Sequence, residues 1–140
     1  MSEQMERYKH SEILVSIRPK YATAIMEGRK TVEYRRNMPI SSWNRHGCCC
    51  IQKMWIYATK PIGMVLGIAD VEVFDGKYCS EEDARKGCLT FDELNAYFKG
   101  AKYRFAIKIK SVTPFETPKT LEEIGIKRAP QSWMYIKVAK

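Results

Sequence analysis

The alternation of apolar and polar residues near the start of the chain predicts a strand followed by a helix. Residues 12–18, EILVSIR, put isoleucine and valine on one face of an extended segment. Pro19 suits the first position of a helix and Gly28 suits the left-handed residue that ends one, so we expect a helix of about nine residues between them. Residues 30–36, KTVEYRR, carry β-branched and aromatic side chains at alternate positions and predict a second strand.

The middle of the chain predicts two more strands and two short helices. Residues 52–59 and the apolar run 63–74 are typical of strands joined by a Pro-Ile-Gly turn, with Gly67 as a bulge. Ser80 and Thr90 each precede an acidic residue at the third following position, which is the signature of a capping box. Each of these two residues should therefore begin a helix that ends at the next glycine.

Residues 102–112, KYRFAIKIKSV, show the most regular alternation in the chain. Aromatic and aliphatic residues occupy one face of this predicted strand, and basic residues including Lys108 and Lys110 occupy the other. A solvated face whose lysines discourage edge pairing and a stripe that faces nucleic acid both explain this pattern, so both interpretations stay open. A capping signature at Thr120 and the segment WMYIKV, residues 133–138, predict a short helix and the last strand.

The series of elements predicts a β-rich fold of about six strands with short flanking helices. Consecutive strands lie too close in sequence for repeated crossover helices, so a small mixed barrel fits better than a doubly wound sheet. Residues 1–140 are expected to form one domain, since a chain of 140 residues can bury a hydrophobic core. Residues 37–50 have the composition of a long loop, and long ordered loops are often functional.

Composition excludes a disordered or membrane-spanning chain. Hydrophobic residues make up 45% and charged residues 29%, and no stretch approaches the roughly 18 apolar residues that a spanning helix needs. The polar N-terminal segment has no apolar run typical of a secretory signal, so we expect a cytoplasmic protein. Five cysteines include the consecutive Cys48, Cys49 and Cys50 but no C-x-x-C pair. Reduced thiols are therefore predicted, and neither a metal site nor a cofactor is expected.

Positive charge is concentrated at the two ends of the chain. The net charge is +8, from 24 basic and 16 acidic residues. Residues 1–50 and 101–140 each carry nine Lys or Arg, whereas residues 51–100 carry six against eight acids. If the two ends meet in the fold, they form the kind of positive surface that binds phosphates or nucleic acid.

The order of these segments resembles the ASCH domain of the PUA-like superfamily. The signature of that family, a Gly-x-Lys-x-x-Glu-x-Arg segment after a strand and a helix, is matched by Gly28, Lys30, Glu33 and Arg35. The closing segment RAPQSWMYI, residues 128–136, is also similar to the family's last segment. The resemblance covers nearly the whole chain and implies a β-barrel with a cleft that receives RNA, a nucleotide or a modified nucleoside.

The resemblance also implies a choice between binding and hydrolysis. Family members include RNA-associated modules, proposed nucleases and small amidohydrolases that remove an acetyl group from N4-acetylcytidine. In those amidohydrolases the motif lysine acts as base for a threonine three residues later, a position that Glu33 holds here. A carboxylate can act as a general base or activate water, but it cannot replace that hydroxyl as an acyl-forming nucleophile without a different mechanism, so this deacetylase activity is not expected.

Lys30 and Glu33 can meet only if Lys30 precedes the regular strand. Strict alternation would put Glu33 and Arg35 on one face and Lys30 on the other. If Lys30 belongs to the loop after the helix, the two side chains converge in a cleft. Otherwise Glu33 only neutralises its basic neighbours on a solvated surface, where such pairs stabilise little.

Further candidates come from position along the chain. Ser16 and Arg18 lie near a helix N-terminus, which suits a phosphate. Trp43, in the long polar loop, is the aromatic residue best placed for stacking on a base. Trp133 is more typical of a core residue unless it lines the cleft, and Gln131 would form part of the opposite wall.

The residues and the resemblance support three functional hypotheses. The first is binding of RNA or a nucleotide-derived ligand in a basic cleft. The binding candidates are Ser16, Arg18, Lys30, Glu33, Arg35, Trp43, Lys108, Lys110, Gln131, Ser132 and Trp133. The second is a ribonuclease or amide hydrolase in which Glu33 activates water and Lys30 stabilises developing negative charge. The third is a protein-interaction or transcription-coupled adaptor that does not touch nucleic acid.

Overall fold

Six strands form one curled, mixed sheet in the computed structural model, which describes residues 11–39, 51–77 and 79–136. The strands are β1 (Glu12–Ile17), β2 (Val32–Arg35), β3 (Lys53–Ala58), β4 (Met64–Asp75), β5 (Phe105–Lys119) and β6 (Trp133–Tyr135). The helices are α1 (Pro19–Met26), α2 (Glu81–Lys86) and α3 (Phe91–Phe98), with a 3-10 turn at Glu122–Ile124. The strand order is β2-β5-β4-β3-β1-β6, and only the β1–β3 pair among these is parallel. The predicted small β-rich fold is confirmed in the form of a half-barrel.

The main hydrophobic core uses the face of β1 that the alternation predicted. Ile13, Val15 and Ile17 are buried there beneath helix α1. Leu14 points to the opposite face and is buried in a second cluster with Tyr57 of β3. Because β1 is covered on both faces, it forms a fixed base for the residues that follow it at the start of α1.

Helices α2 and α3 pack together against β2. Both predicted capping boxes are confirmed, at Ser80 for α2 and Thr90 for α3. The N–H and hydroxyl of Ser80 donate to Asp83, and these hydrogen bonds lower the pKa of that carboxyl. Tyr34 of β2 is buried among the two helices and donates its hydroxyl proton to the backbone carbonyl of Asp83 at 2.7 Å. Burial raises the pKa of this phenol, so it is a neutral donor.

Strand β5 differs from the prediction at both ends. It begins at Phe105, three residues later than expected, and continues to Lys119. Pro114 and the following residues interrupt the apolar alternation, which hid this extension in the sequence. The strand continues because Pro114 lies opposite Gly67, where the register of the β4–β5 pair shifts. The predicted bulge at Gly67 is thereby confirmed.

No helix in residues 11–39, 51–77 and 79–136 is long and apolar enough to cross a membrane. The long loop predicted at residues 37–50 lies mostly outside the described residues, since residues 40–50 are not described.

The bulge at Gly67 leads to a prediction about stability. A β-carbon at Gly67 would lie 2.6 Å from the carbonyl oxygen of Thr113 and 2.8 Å from the α-carbon of Pro114. Since both atoms belong to the backbone, Gly67→Ala should force β4 and β5 apart and lower the free energy of unfolding by roughly 1–3 kcal/mol. Urea denaturation measures this change.

Gly76→Ala is the matched control, because a β-carbon there meets its neighbours at 3.4 Å or more. Equal losses in the two variants would show that the close approach of β4 and β5 is not what requires glycine at position 67.

Candidate functional site

Lys30 lies in the loop between α1 and β2, outside the regular pleat of the strand. The chain leaves the helix through Gly28, whose φ angle is 80°, as the sequence predicted. The backbone N–H of Lys30 donates to the carbonyl of Ala24 at 3.1 Å, which turns the loop back against the helix. The Lys30 ammonium therefore approaches the Glu33 carboxylate at 3.3 Å. The sequence left open whether the Lys30 and Glu33 side chains converge or lie on opposite faces, and in the structure they converge.

Glu33 is held between two cations. Its Oε1 lies 3.3 Å from Lys30 Nζ, and its Oε2 accepts a hydrogen bond from Arg35 Nη1 at 3.1 Å. Lys30 is only 2% exposed and Glu33 only 7%. These three side chains, hereafter the charge cluster, are thus a largely buried ionic chain and not a solvated surface pair.

Arg35 connects the two edges of the curled sheet. Its Nη2 donates to the carbonyl and to the hydroxyl of Ser132, at 3.1 and 2.7 Å. Its Nη1 also donates to the carbonyl of Ser16 at 3.4 Å. Arg35 belongs to edge strand β2, and Ser132 immediately precedes edge strand β6. One guanidinium therefore bridges the opening of the half-barrel, a role that suits its planar fork of donors.

Lys30 has further partners besides Glu33. Its ammonium donates to the backbone carbonyl of Gly87 at the end of α2, and it lies 5.0 Å from the centre of the Tyr21 ring. An ammonium has three N–H donors, so the contacts with Glu33, the Gly87 carbonyl and the Tyr21 ring use most of its capacity to donate hydrogen bonds. Lys30 consequently contributes a fixed positive charge to the site.

A cavity of about 820 Å³ opens beside the charge cluster. This volume lies within the range of small-molecule sites, which is roughly 300–1,000 Å³. The described residues that line it are Ser16, Ile17, Arg18, Tyr21, Lys30, Glu33, Tyr34, Arg35, Thr59, Leu89, Glu93, Ala96, Tyr97 and Gln131. Lys30 and Glu33 thus both border a concave surface, with two cations against one carboxylate in the cluster.

The structure brings together the sequence candidates from the two ends of the chain. Ser16, Arg18, Gln131 and the charge cluster line the cavity. Ser132 is joined to them through Arg35. The hydroxyl of Ser16 donates to the carbonyl of Pro130 at 2.7 Å, which fixes the closing segment against β1.

Three of the remaining candidates do not line the cavity. Lys108 and Lys110 are exposed on β5 and do not line the cavity. Trp133 is partly buried against the main core with its ring 5.3 Å from that of Tyr135, and it is not among the residues that line the cavity. Trp43 falls outside the described residues.

Sequence reasoning missed the wall of the cavity that α3 supplies. Glu93, Ala96 and Tyr97 line the cavity at helical spacing on that helix, near Leu89 in the turn before it. The spacing is visible in the sequence. What the sequence does not reveal is that this face of α3 lies beside β2.

The described residues contain no group of three or more His, Cys, Asp or Glu side chains that could hold a metal ion. Cys79 and Cys88 are free thiols. Burial raises the pKa of the Cys79 thiol, which makes it a poor nucleophile. Cys48, Cys49 and Cys50 lie outside the described residues.

Comparison with known proteins identifies the family. A family model described as the ASCH domain matches residues 15–140. The chain belongs to the ASCH domain family. The resemblance noted in the motif of Gly28, Lys30, Glu33 and Arg35 is thereby confirmed.

Individual known proteins are similar to this chain in sequence and in structure. The chain is 29% identical to an ASCH domain-containing ribonuclease from Zymomonas mobilis, over 90% of this chain and 84% of that protein. A crystal structure of ASCH from Zymomonas mobilis superposes with a TM-score of 0.72 and 28% identity, over 91% of this chain and 89% of that one. The chain is also 24% identical to large ribosomal subunit protein uL22 of Ureaplasma parvum, over 97% of this chain but 42% of that protein.

The burial of the charge cluster leads to a prediction about stability. Lys30→Met keeps most of the side-chain volume but removes a charged donor from the Gly87 carbonyl and a cation from Glu33. We expect the free energy of unfolding to fall by roughly 1–3 kcal/mol. In a double-mutant cycle with Glu33→Gln, the two changes should be coupled by roughly 0.5–3 kcal/mol, as measured by urea denaturation.

Arg29→Met is the matched control, since Arg29 neighbours Lys30 but pairs with Glu27 on the surface, where the two side chains are 59% and 53% exposed. Its cost should stay below about 1 kcal/mol. A loss in Lys30→Met no larger than that in Arg29→Met would contradict the buried, coupled cluster.

Proposed function

We propose that this ASCH protein binds RNA in the cavity beside the charge cluster and cleaves it as a ribonuclease. The observation that carries the proposal is the convergence of Lys30, Glu33 and Arg35 on one concave surface. A buried carboxylate between two cations is a combination that can transfer a proton and stabilise a phosphate in the same place.

Electrostatics support an anionic ligand. The cluster contributes two positive charges and one negative. Of the exposed residues that line the cavity, Arg18 adds a cation at the start of α1 and Glu93 adds a carboxylate on α3, so the lining holds three cations against two carboxylates. These charges lie in a concave surface of a chain with a net charge of +8. A charged cleft of this kind concentrates field lines and attracts polyanions such as RNA.

Hydrolysis is supported by the relative from Zymomonas mobilis, which is named a ribonuclease and is similar over 84% of its length. In our proposal Glu33 accepts a proton from a water molecule whose oxygen attacks the phosphorus, the bond between phosphorus and the leaving ribose oxygen breaks, and that oxygen takes up a proton from solvent. Each carboxylate oxygen has two lone pairs and the cluster uses one on each, so Glu33 retains acceptor capacity. Lys30 and Arg35 stabilise the charge that develops on the phosphate oxygens.

We further propose that the protein acts in the cytoplasm as a single domain. The support is the family match over residues 15–140 and the free thiols at Cys79 and Cys88, which suit a reducing compartment. RNA as the ligand fits a cytoplasmic location, and we propose no membrane partner.

Binding should depend steeply on salt. If phosphates are held by cations of the cleft, the logarithm of the affinity for single-stranded RNA should fall linearly with the logarithm of salt concentration, by about 0.7 per phosphate neutralised. Arg18→Ala should reduce that slope by about one such step. Fluorescence anisotropy of a labelled oligonucleotide over a salt series measures both.

Lys110→Ala serves as the control, because this lysine lies outside the cavity lining. An unchanged slope in Arg18→Ala, with a reduced slope in Lys110→Ala, would show that RNA binds to the exposed face of β5 and not to the cleft.

Cleavage should require the carboxylate of Glu33. Glu33→Gln keeps the shape of the side chain but removes its ability to accept a proton, so RNA turnover should fall by roughly 100-fold or more. Gel analysis of labelled RNA measures turnover, and circular dichroism checks that the variant is folded.

Lys108→Gln is the matched control for loss of one charge away from the cavity, and it should retain turnover. If the unmodified protein binds RNA without turnover, the protein is an RNA-binding module and not a ribonuclease. Absence of both would favour the adaptor hypothesis.

A further inference from the structure

Helix α3 presents one aromatic ring to the cavity. Tyr97 lines the cavity and is 38% exposed. An exposed aromatic ring in a cleft that also holds cations is a feature on which proteins stack unpaired bases of single-stranded nucleic acid.

The Tyr97 ring is held in place at both ends. Its hydroxyl accepts a hydrogen bond from the backbone N–H of Arg36 at 3.2 Å. Its ring packs at an angle of 45° against that of the buried Phe98, with the centroids 5.3 Å apart. Because Arg36 directly follows Arg35, this hydrogen bond fixes the Tyr97 hydroxyl at the end of β2, and the ring lines the same cavity as the charge cluster. A ring fixed in advance loses little conformational entropy when a ligand stacks on it.

The other two tyrosines that line the described part of the cavity are less suited to this role. Tyr34 is only 5% exposed, and its ring meets Phe98 edge to face at 5.9 Å. The ring of Tyr21 already lies 5.0 Å from the Lys30 ammonium. Tyr97 is therefore the ring with the most accessible surface among the three.

The wall that carries Tyr97 is anchored to the charge cluster. Lys30 donates to the carbonyl of Gly87, and the backbone N–H of Thr31 donates to the carbonyl of Lys86 at 2.9 Å. Both acceptors lie at the C-terminal end of α2, which packs against α3. The position of the ring relative to the cations is thus set by direct contacts and not by a free loop.

We propose that Tyr97 is a base-stacking residue that receives an unpaired nucleobase while the attached phosphate faces the cations of the cleft. This inference rests on the proposed function for the identity of the ligand as RNA. It supplies a structural reason for the substrate to be single-stranded, because a base paired within a duplex cannot lay its face on the ring. Stacking tolerates any base, so a preference for unpaired RNA without strong sequence specificity is expected.

Binding of mononucleotides tests this inference apart from cleavage, since adenosine 5′-monophosphate has no phosphodiester bond to cut. Isothermal titration compares adenosine 5′-monophosphate with ribose 5-phosphate, which has the same phosphate and sugar but no base. Stacking should make the nucleotide bind about 5- to 150-fold more tightly in the unmodified protein. Tyr97→Ala should abolish this difference, and Tyr97→Phe, which keeps the ring but loses the hydroxyl, should retain it.

Tyr103→Ala is the matched control, because Tyr103 is also 38% exposed but does not line the cavity. Its base preference should equal that of the unmodified protein. Equal affinities for the two ligands in the unmodified protein, no binding of either, or a preference that survives in Tyr97→Ala would each overturn the inference. RNA cleavage without a base preference would refute stacking alone, whereas a Tyr97-dependent preference without cleavage would refute the ribonuclease alone.

Discussion

The charge compensation of Glu33 is the interaction on which this structure depends. A carboxylate that is 7% exposed is costly to bury, and the opposite charges of Lys30 and Arg35 at its two oxygens offset that cost. Each partner is in turn fixed by other parts of the chain. Lys30 contacts the end of α2, and Arg35 contacts Ser16 and Ser132. The ionic chain therefore ties the closing segment and the helical pair to the same short strand, β2.

The need to compensate the charge of Glu33 also explains why the site has arginine at position 35 and lysine at position 30. Arg35 satisfies a carboxylate, a hydroxyl and two carbonyls at once, which needs a planar group with several diverging donors. Lys30 occupies a narrower position between Glu33, the Gly87 carbonyl and the face of the Tyr21 ring, where a compact ammonium fits. Exchange of the two types would leave buried acceptors without donors.

The parts of the fold that could be predicted from the sequence have local causes. The alternation in β1, the proline and glycine at the ends of α1, and the capping boxes at Ser80 and Thr90 all act within a few residues. The extension of β5 past Pro114 could not be predicted, because it depends on the shifted register opposite Gly67. The convergence of Lys30 with Glu33 was predicted only as one of two arrangements. The position of Tyr97 was missed, because it depends on how α3 packs against β2.

The contacts of the charge cluster limit what charge alone can contribute to recognition. Both cations already donate hydrogen bonds within the protein, so their attraction for a phosphate acts through net charge more than through donors that await a ligand. Attraction of that kind acts on any phosphate and does not recognise a base. Discrimination must then come from an uncharged feature of the cleft. In our proposal the ring of Tyr97 is that feature, since it meets the cavity with its exposed surface while its hydroxyl is held beside the cluster.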